Sequence, residues 1–325
     1  MAKKHQRKQK LDSKPKTYNI KMPVFTTHMM DYEEGFLNRV TYDEMVSYLK
    51  GKLANYTLPI SSDNRNKTKK TVISKIIPSD VKIGDVPALL LQINAFNTNL
   101  YDGYFEGSER IQFTRDNKIG SESNFVLFYP RINGLSPGHY TCYFLMLAYE
   151  DPTKDSGEVS KLAKIVAKQI LNVPVQNIKI SMILDELKSI GDIPELRIKY
   201  YSLTESDNNV DVKYASYLTK TSLKREEIRN FKNMPFTTME SLISDSTEDG
   251  NYQKKEITIL GGKKEYKISK QLIAEAGEEL SETAEKIFNA ITAITQDELE
   301  HKIHNRDFII EKMSSVISNY IAGYE

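Results

Sequence analysis

NFVLFYPRI (residues 124–132) and HYTCYFLMLAY (139–149), joined across GLSPG (134–138), decide the reading of this chain. Both runs are apolar at odd and even positions alike. A strand with one wet face alternates, whereas a strand covered on both faces does not. The Gly, Ser and Pro residues between the runs make a tight connection. The pair therefore predicts two adjacent antiparallel strands inside a sheet.

Upstream, TVISKII (71–77) and VPALLLQINAF (86–96) share this texture and extend the sheet. Thr41-x-x-Glu44 is a capping box that opens a helix to about Leu53, with Met45, Leu49 and Leu53 on one stripe. Downstream, Val159, Leu162, Ile165, Val166 and Ile170 recur at helical spacing over 156–171, with Asp155 and Glu158 at its start and Pro174 beyond its end. NIKISMI (177–183) predicts a strand, DELKSI (185–190) a short helix and ELRIKYYSL (195–203) another strand. Gly261-Gly262 in ITILGGKKEYKIS (257–269) predicts a hairpin. Ala276, Leu280, Ala284, Ile287, Phe288, Ile291 and Ile294 are spaced by three and four, which predicts a helix, and Phe308 to Ile321 predicts a second one. The expected fold class is α+β: a mixed, largely antiparallel sheet with packed helices over 20–254, then a hairpin and helical C-terminal region over 255–325. Residues 1–19 are expected to form a basic, disordered leader.

Composition narrows the chemistry. The 325 residues are 39% hydrophobic and 27% charged, which is a globular composition and not a disordered or collagen-like one. No apolar run reaches the ~18–20 residues of a membrane span. A single cysteine, Cys142, permits no internal disulfide and suits a cytoplasmic chain. The net charge of +1 hides a segregation. Lys3, Lys4, Arg7, Lys8, Lys10, Lys14 and Lys16 face one acid, Asp12, in the first 16 residues, while the other 309 carry 38 basic and 43 acidic groups. The leader has no apolar core and so does not read as a secretory signal. A second basic cluster, Arg65, Lys67, Lys69 and Lys70, lies in SSDNRNKTKK (61–70). Clustered lysine and arginine neutralise phosphates and release counterions, so both clusters are candidate nucleic-acid contacts.

Catalytic motifs are sparse. There is no CxxC, P-loop, GxGxxG, HExxH or GxSxG arrangement. His139 and Cys142 are three apart in a predicted strand, hence on opposite faces. Asp297, Glu300, His301 and His304 share one face if their segment is helical, and are the candidate metal ligands. The aromatic side chains Tyr101, Tyr104, Phe105, Phe113, Phe125, Phe128 and Tyr129 fit the core better than a base-stacking surface.

The order of elements over 87–203, including KLAKIVAKQIL and NIKISMILDELKSIGDIPELRIKYYS, resembles that of uncharacterised bacterial proteins of prophages and phage defence, with the phage exclusion protein RexA a distant relation. The resemblance implies DNA binding and oligomerisation, and it carries over no functional residue. The expected function is a cytoplasmic prokaryotic nucleic-acid-binding protein of an antiviral defence or mobile-element system, working by binding and assembly without a cofactor. The alternatives are an interaction subunit, whose C-terminal helices form a homo-oligomer or dock a partner enzyme, and a metal-dependent hydrolase or nuclease.

Overall fold

The computed structural model describes residues 16–29, 40–58, 60–62, 71–97, 103–106, 108–112, 122–136, 139–153, 157–188, 193–205, 222–244, 252, 254–261, 263–271, 283–284 and 286–322. The two deciding runs are β7 (Glu122–Ser136) and β8 (His139–Tyr149), paired antiparallel with Phe128 opposite Met146. They extend into one large antiparallel sheet with β1 (Thr17–His28), β2 (Ile60–Ser62), β3 (Thr71–Ile83), β4 (Val86–Asn97), β10 (Ile193–Glu205), β11 (Ser222–Met234), β12 (Lys254–Gly261), β13 (Lys264–Gln271) and β15 (Phe288–Thr295). Its order is β11-β10-β12-β13-β15-β1-β8-β7-β4-β3-β2. The short strands β9 (Ile178–Lys179) and β14 (Thr283–Ala284) attach at β13, and β5 (Gly103–Glu106) with β6 (Glu109–Gln112) forms a separate hairpin.

Helices cover the two faces unequally. On one face α3 (Ile180–Lys188), α4 (Phe236–Ser244) and α6 (Arg306–Ala322) pack against a single core that includes Ile20, Met22, Leu90, Leu127, Leu147, Ile198, Ile257, Tyr266 and Phe288. On the other face α1 (Tyr42–Ala54) and α2 (Glu158–Ile165), which runs on through a π-turn at Val166–Ile170, cover Phe25, Leu89, Leu91, Val126, Phe128, Phe144 and Met146. Strands β4, β7 and β8 thus bury both parities, as their unbroken apolar runs require. Each such Leu or Phe contributes about 1.5–3 kcal/mol.

Several expectations are met locally. Thr41 and Glu44 form the capping box, and Gly261 opposes Lys264 at the hairpin turn. Others are corrected. The seam predicted as a helix through Ile287 and Ile294 is strand β15, wedged between β13 and β1, with Phe288, Ala290 and Ile294 buried; Ala276 and Leu280 lie outside the described residues. The strand expected at 177–183 is two residues long and turns into α3. The boundary drawn after 254 falls inside the sheet, because β12 pairs with β10 on one side and β13 on the other. The first strand begins at Thr17, within the expected leader. Phe308, Ile309, Met313, Val316 and Ile317 of α6 are buried in the chain's own core, so that seam is not a docking surface. No described helix is long and apolar enough to cross a membrane.

Candidate nucleic-acid interface

The strand registers fix where the two basic clusters join the body. Ser62 pairs with Thr71, so the 63–70 segment leaves and re-enters the sheet at one end of β3. Thr71 begins β3 and Thr17 begins β1, and the antiparallel alternation through β4, β7 and β8 directs both strand starts to the same end of the sheet. Both clusters are therefore rooted at the same end of the sheet, four strand spacings apart. At ~4.8 Å per spacing this is about 20 Å. Phosphates on one strand of a duplex are ~3.4 Å apart along the axis, so about six lie between the roots.

The β12–β13 hairpin turn points to this same end, with Lys263 exposed and its carbonyl accepting from the Ile291 amide at 2.7 Å. Lys264 is turned inward, its ammonium 4.6 Å from the Phe288 ring centroid and 5.2 Å from that of Tyr320. Lys16 is exposed at the root of the leader. Lys3, Lys4, Arg7, Lys8, Lys10 and Lys14, and likewise Arg65, Lys67, Lys69 and Lys70, lie outside the described residues.

Farther along the sheet, β10 to β13 present a polar face. Lys199 pairs with Glu226 at 2.9 Å and lies 4.9 Å from the Tyr201 ring centroid, while Tyr201 donates to Glu256 at 2.7 Å. Arg197 donates to Asn230 at 3.0 Å. At its inner margin Glu265, 8% exposed, accepts from Asn289 at 2.8 Å and lies 3.3 Å from Lys21 and 3.4 Å from Lys267. Burial alone would raise the Glu265 carboxyl, but Lys267, Asn289 and Lys21 together outweigh it and hold the group below the usual carboxylate range. Positive and negative charges alternate across this face, so it offers no phosphate track comparable with the two clusters.

The candidate metal ligands do not converge. They fall on a short helix, α5 (Gln296–His301), and the turn after it. His301 lies 3.4 Å from Asp297, Glu300 accepts from Gln296, and His304 turns away to sit 3.5 Å from Asp151. The helical spacing ends at His301, which is why the i,i+3 relation to His304 fails. Among the described residues no three His, Cys, Asp or Glu side chains are grouped to hold a metal ion.

What the sequence reading missed is the anchorage of that turn. Asp151 is 9% exposed and accepts from the Thr153 amide at 2.9 Å and hydroxyl at 2.6 Å. Beside it Tyr149 donates to the Ile303 carbonyl at 3.1 Å, and burial together with the Asp151 charge raises the phenol above its ordinary range. Asp151 and His304 are 153 residues apart, and no local pattern links them. Burial also pushes the Cys142 thiol up, which leaves it a poor nucleophile. The side chain of His139 lies outside the described residues.

No family model, no curated protein and no solved structure matches this chain.

Proposed function

We propose that the protein is a cytoplasmic nucleic-acid-binding protein of a phage-defence or mobile-element system, acting by binding and assembly. The observation that carries this reading is the charge segregation: seven basic residues against one acid in the first 16, on a body with 38 basic and 43 acidic groups. Its geometric support is the common end of the sheet at which the leader and the 63–70 segment are rooted, about 20 Å apart. The leader and Arg65, Lys67, Lys69 and Lys70 contact phosphates, and the body supplies a rigid frame that holds the two contacts at a fixed separation. Recognition by phosphate contacts positions the protein and reads no base sequence.

The test is fluorescence anisotropy with labelled single-stranded DNA, duplex DNA and RNA over a salt series. It compares the full chain, a chain lacking residues 2–15, and a variant carrying R65E, K67E, K69E and K70E. Binding is expected to weaken steeply with salt. On duplex DNA each lost phosphate contact lowers the log–log slope by about 0.9, so removing the leader lowers it by several units. Absent or salt-independent binding by the full chain overturns the reading.

A further inference from the structure

The two ends of the large sheet are finished differently. At one end β2 is three residues long, a short edge that offers little to a passing strand. At the other end β11 is thirteen residues long and pairs only with β10 among the described residues. Charged residues on an edge strand ordinarily repel other strands. Here the charges have both signs, and their order is not random about one residue. Ile228 is 54% exposed, which singles it out on this edge as a large apolar side chain facing water.

We infer that β11 pairs antiparallel with β11 of a second copy, with the two Ile228 residues facing each other on a twofold axis. A twofold axis perpendicular to the sheet pairs residues of the same parity, so the axis must pass at a residue. Centred on Ile228, Glu227 faces Arg229 of the second copy, twice by symmetry, and Glu226 faces Asn230 of the second copy, also twice. Centred on Glu226 or Arg229, a like-charged pair sits on the axis; centred on Glu227, Arg229 opposes Arg225. Directly opposed residues have Cβ atoms ~4.5–5.5 Å apart, close enough for each opposite-charge pair to contribute about 0.2–1 kcal/mol. Glu227 and Arg229 have side chains 32% exposed and are ion-paired at 2.8 Å along their own strand, Glu227 also accepting from the Tyr252 hydroxyl and Arg229 lying 4.9 Å from the Tyr200 ring centroid, so the cross-copy pairs add to this network at its outer side. The one adverse feature is Lys224 opposite Lys232, and Lys232 is exposed, so water and salt screen the pair. The two sheets join into one, and an isologous contact of this kind closes as a dimer and does not propagate.

The experiment uses the full chain and three single variants, I228C, E226C and N230C. Opposed strand residues have Cα atoms ~4.5–5.5 Å apart, within the range a disulfide spans. The native Cys142 is buried and does not compete. Light scattering is expected to give a mass twice that of the chain, falling toward one chain on dilution. Under mild oxidation I228C is expected to cross-link between chains at least tenfold faster than E226C or N230C, whose own copies sit about 13 Å apart along the ladder. A monomer at all concentrations, or a dimer in which E226C or N230C cross-links as fast as I228C, overturns the inference. The outcome is independent of nucleic acid, so it can fail while the nucleic-acid binding of the proposed function stands, and the reverse.

Discussion

Glu265 is a carboxylate nearly removed from water at the inner margin of a polar sheet face, and its cost is offset by Asn289, Lys21 and Lys267. Because its folded-state pKa is depressed, it stabilises the fold fully above the ordinary carboxylate range and progressively less as pH falls through the lowered value. Glu265→Gln keeps the shape and removes the charge. It is expected to lower stability in urea melts by about 1–2 kcal/mol near neutral pH, the partner lysines being half-exposed. The difference should hold from about pH 5.5 to 8 and shrink below about pH 4.5, where the unfolded carboxylate gains its proton first. A gap that widens in acid would contradict the network. Nothing local announced this site: Lys21 and Glu265 are 244 positions apart.

Among the elements, α2 shows how a single backbone angle starts a helix. Gly157 precedes it with φ 90°, ψ −3°, and a Cβ built there meets nothing within 4 Å. The cost of any side chain is thus conformational and not steric crowding. Gly157→Ala is expected to cost about 1–2 kcal/mol and Gly157→Asn less, read as shifts in denaturation midpoint. Equal losses for both would mean that φ is not the cause. The sequence revealed α2 itself through its apolar stripe, and the β7–β8 pair through two unbroken apolar runs with a short turn. It misled at β15, because Phe288, Ile291 and Ile294 fit a helical period as well as a strand buried along one face and part of the other. Only the pairing of that segment with β1 and β13 decides between the two, and pairing partners, one of them more than 260 residues away, leave no mark on local periodicity. The same limit hid Asp151 beside His304, while the basic clusters, being properties of composition, were legible at once.

At the scale of the whole molecule the sheet is a single cooperative frame. β1 is held by β15 over eight register pairs, from Thr17 with Thr295 to Val24 with Phe288, and by β8 on its other side. Val24, Met22 and Ile20 are each 0% exposed. A chain ending at residue 253 loses β12, β13, β15 and α6, exposes this core, and is expected to show no cooperative thermal transition by circular dichroism. Removing residues 2–15 leaves every described strand and helix in place and should keep the melting curve within about 0.5 kcal/mol of the full chain. A cooperative melt for the chain ending at residue 253 would show that the two halves fold separately, contrary to the continuous sheet.

The pairing of β1 with β15 also sets an order of events during synthesis. β1 receives one of its two neighbours only when residues 288–295 have been made, and at ~5–20 residues per second that interval is tens of seconds. Throughout it the nascent chain carries an open, apolar strand edge at what will become the middle of the sheet. Synthesis that stops before residue 288 therefore leaves an aggregation-prone chain with β1 unpaired on one side.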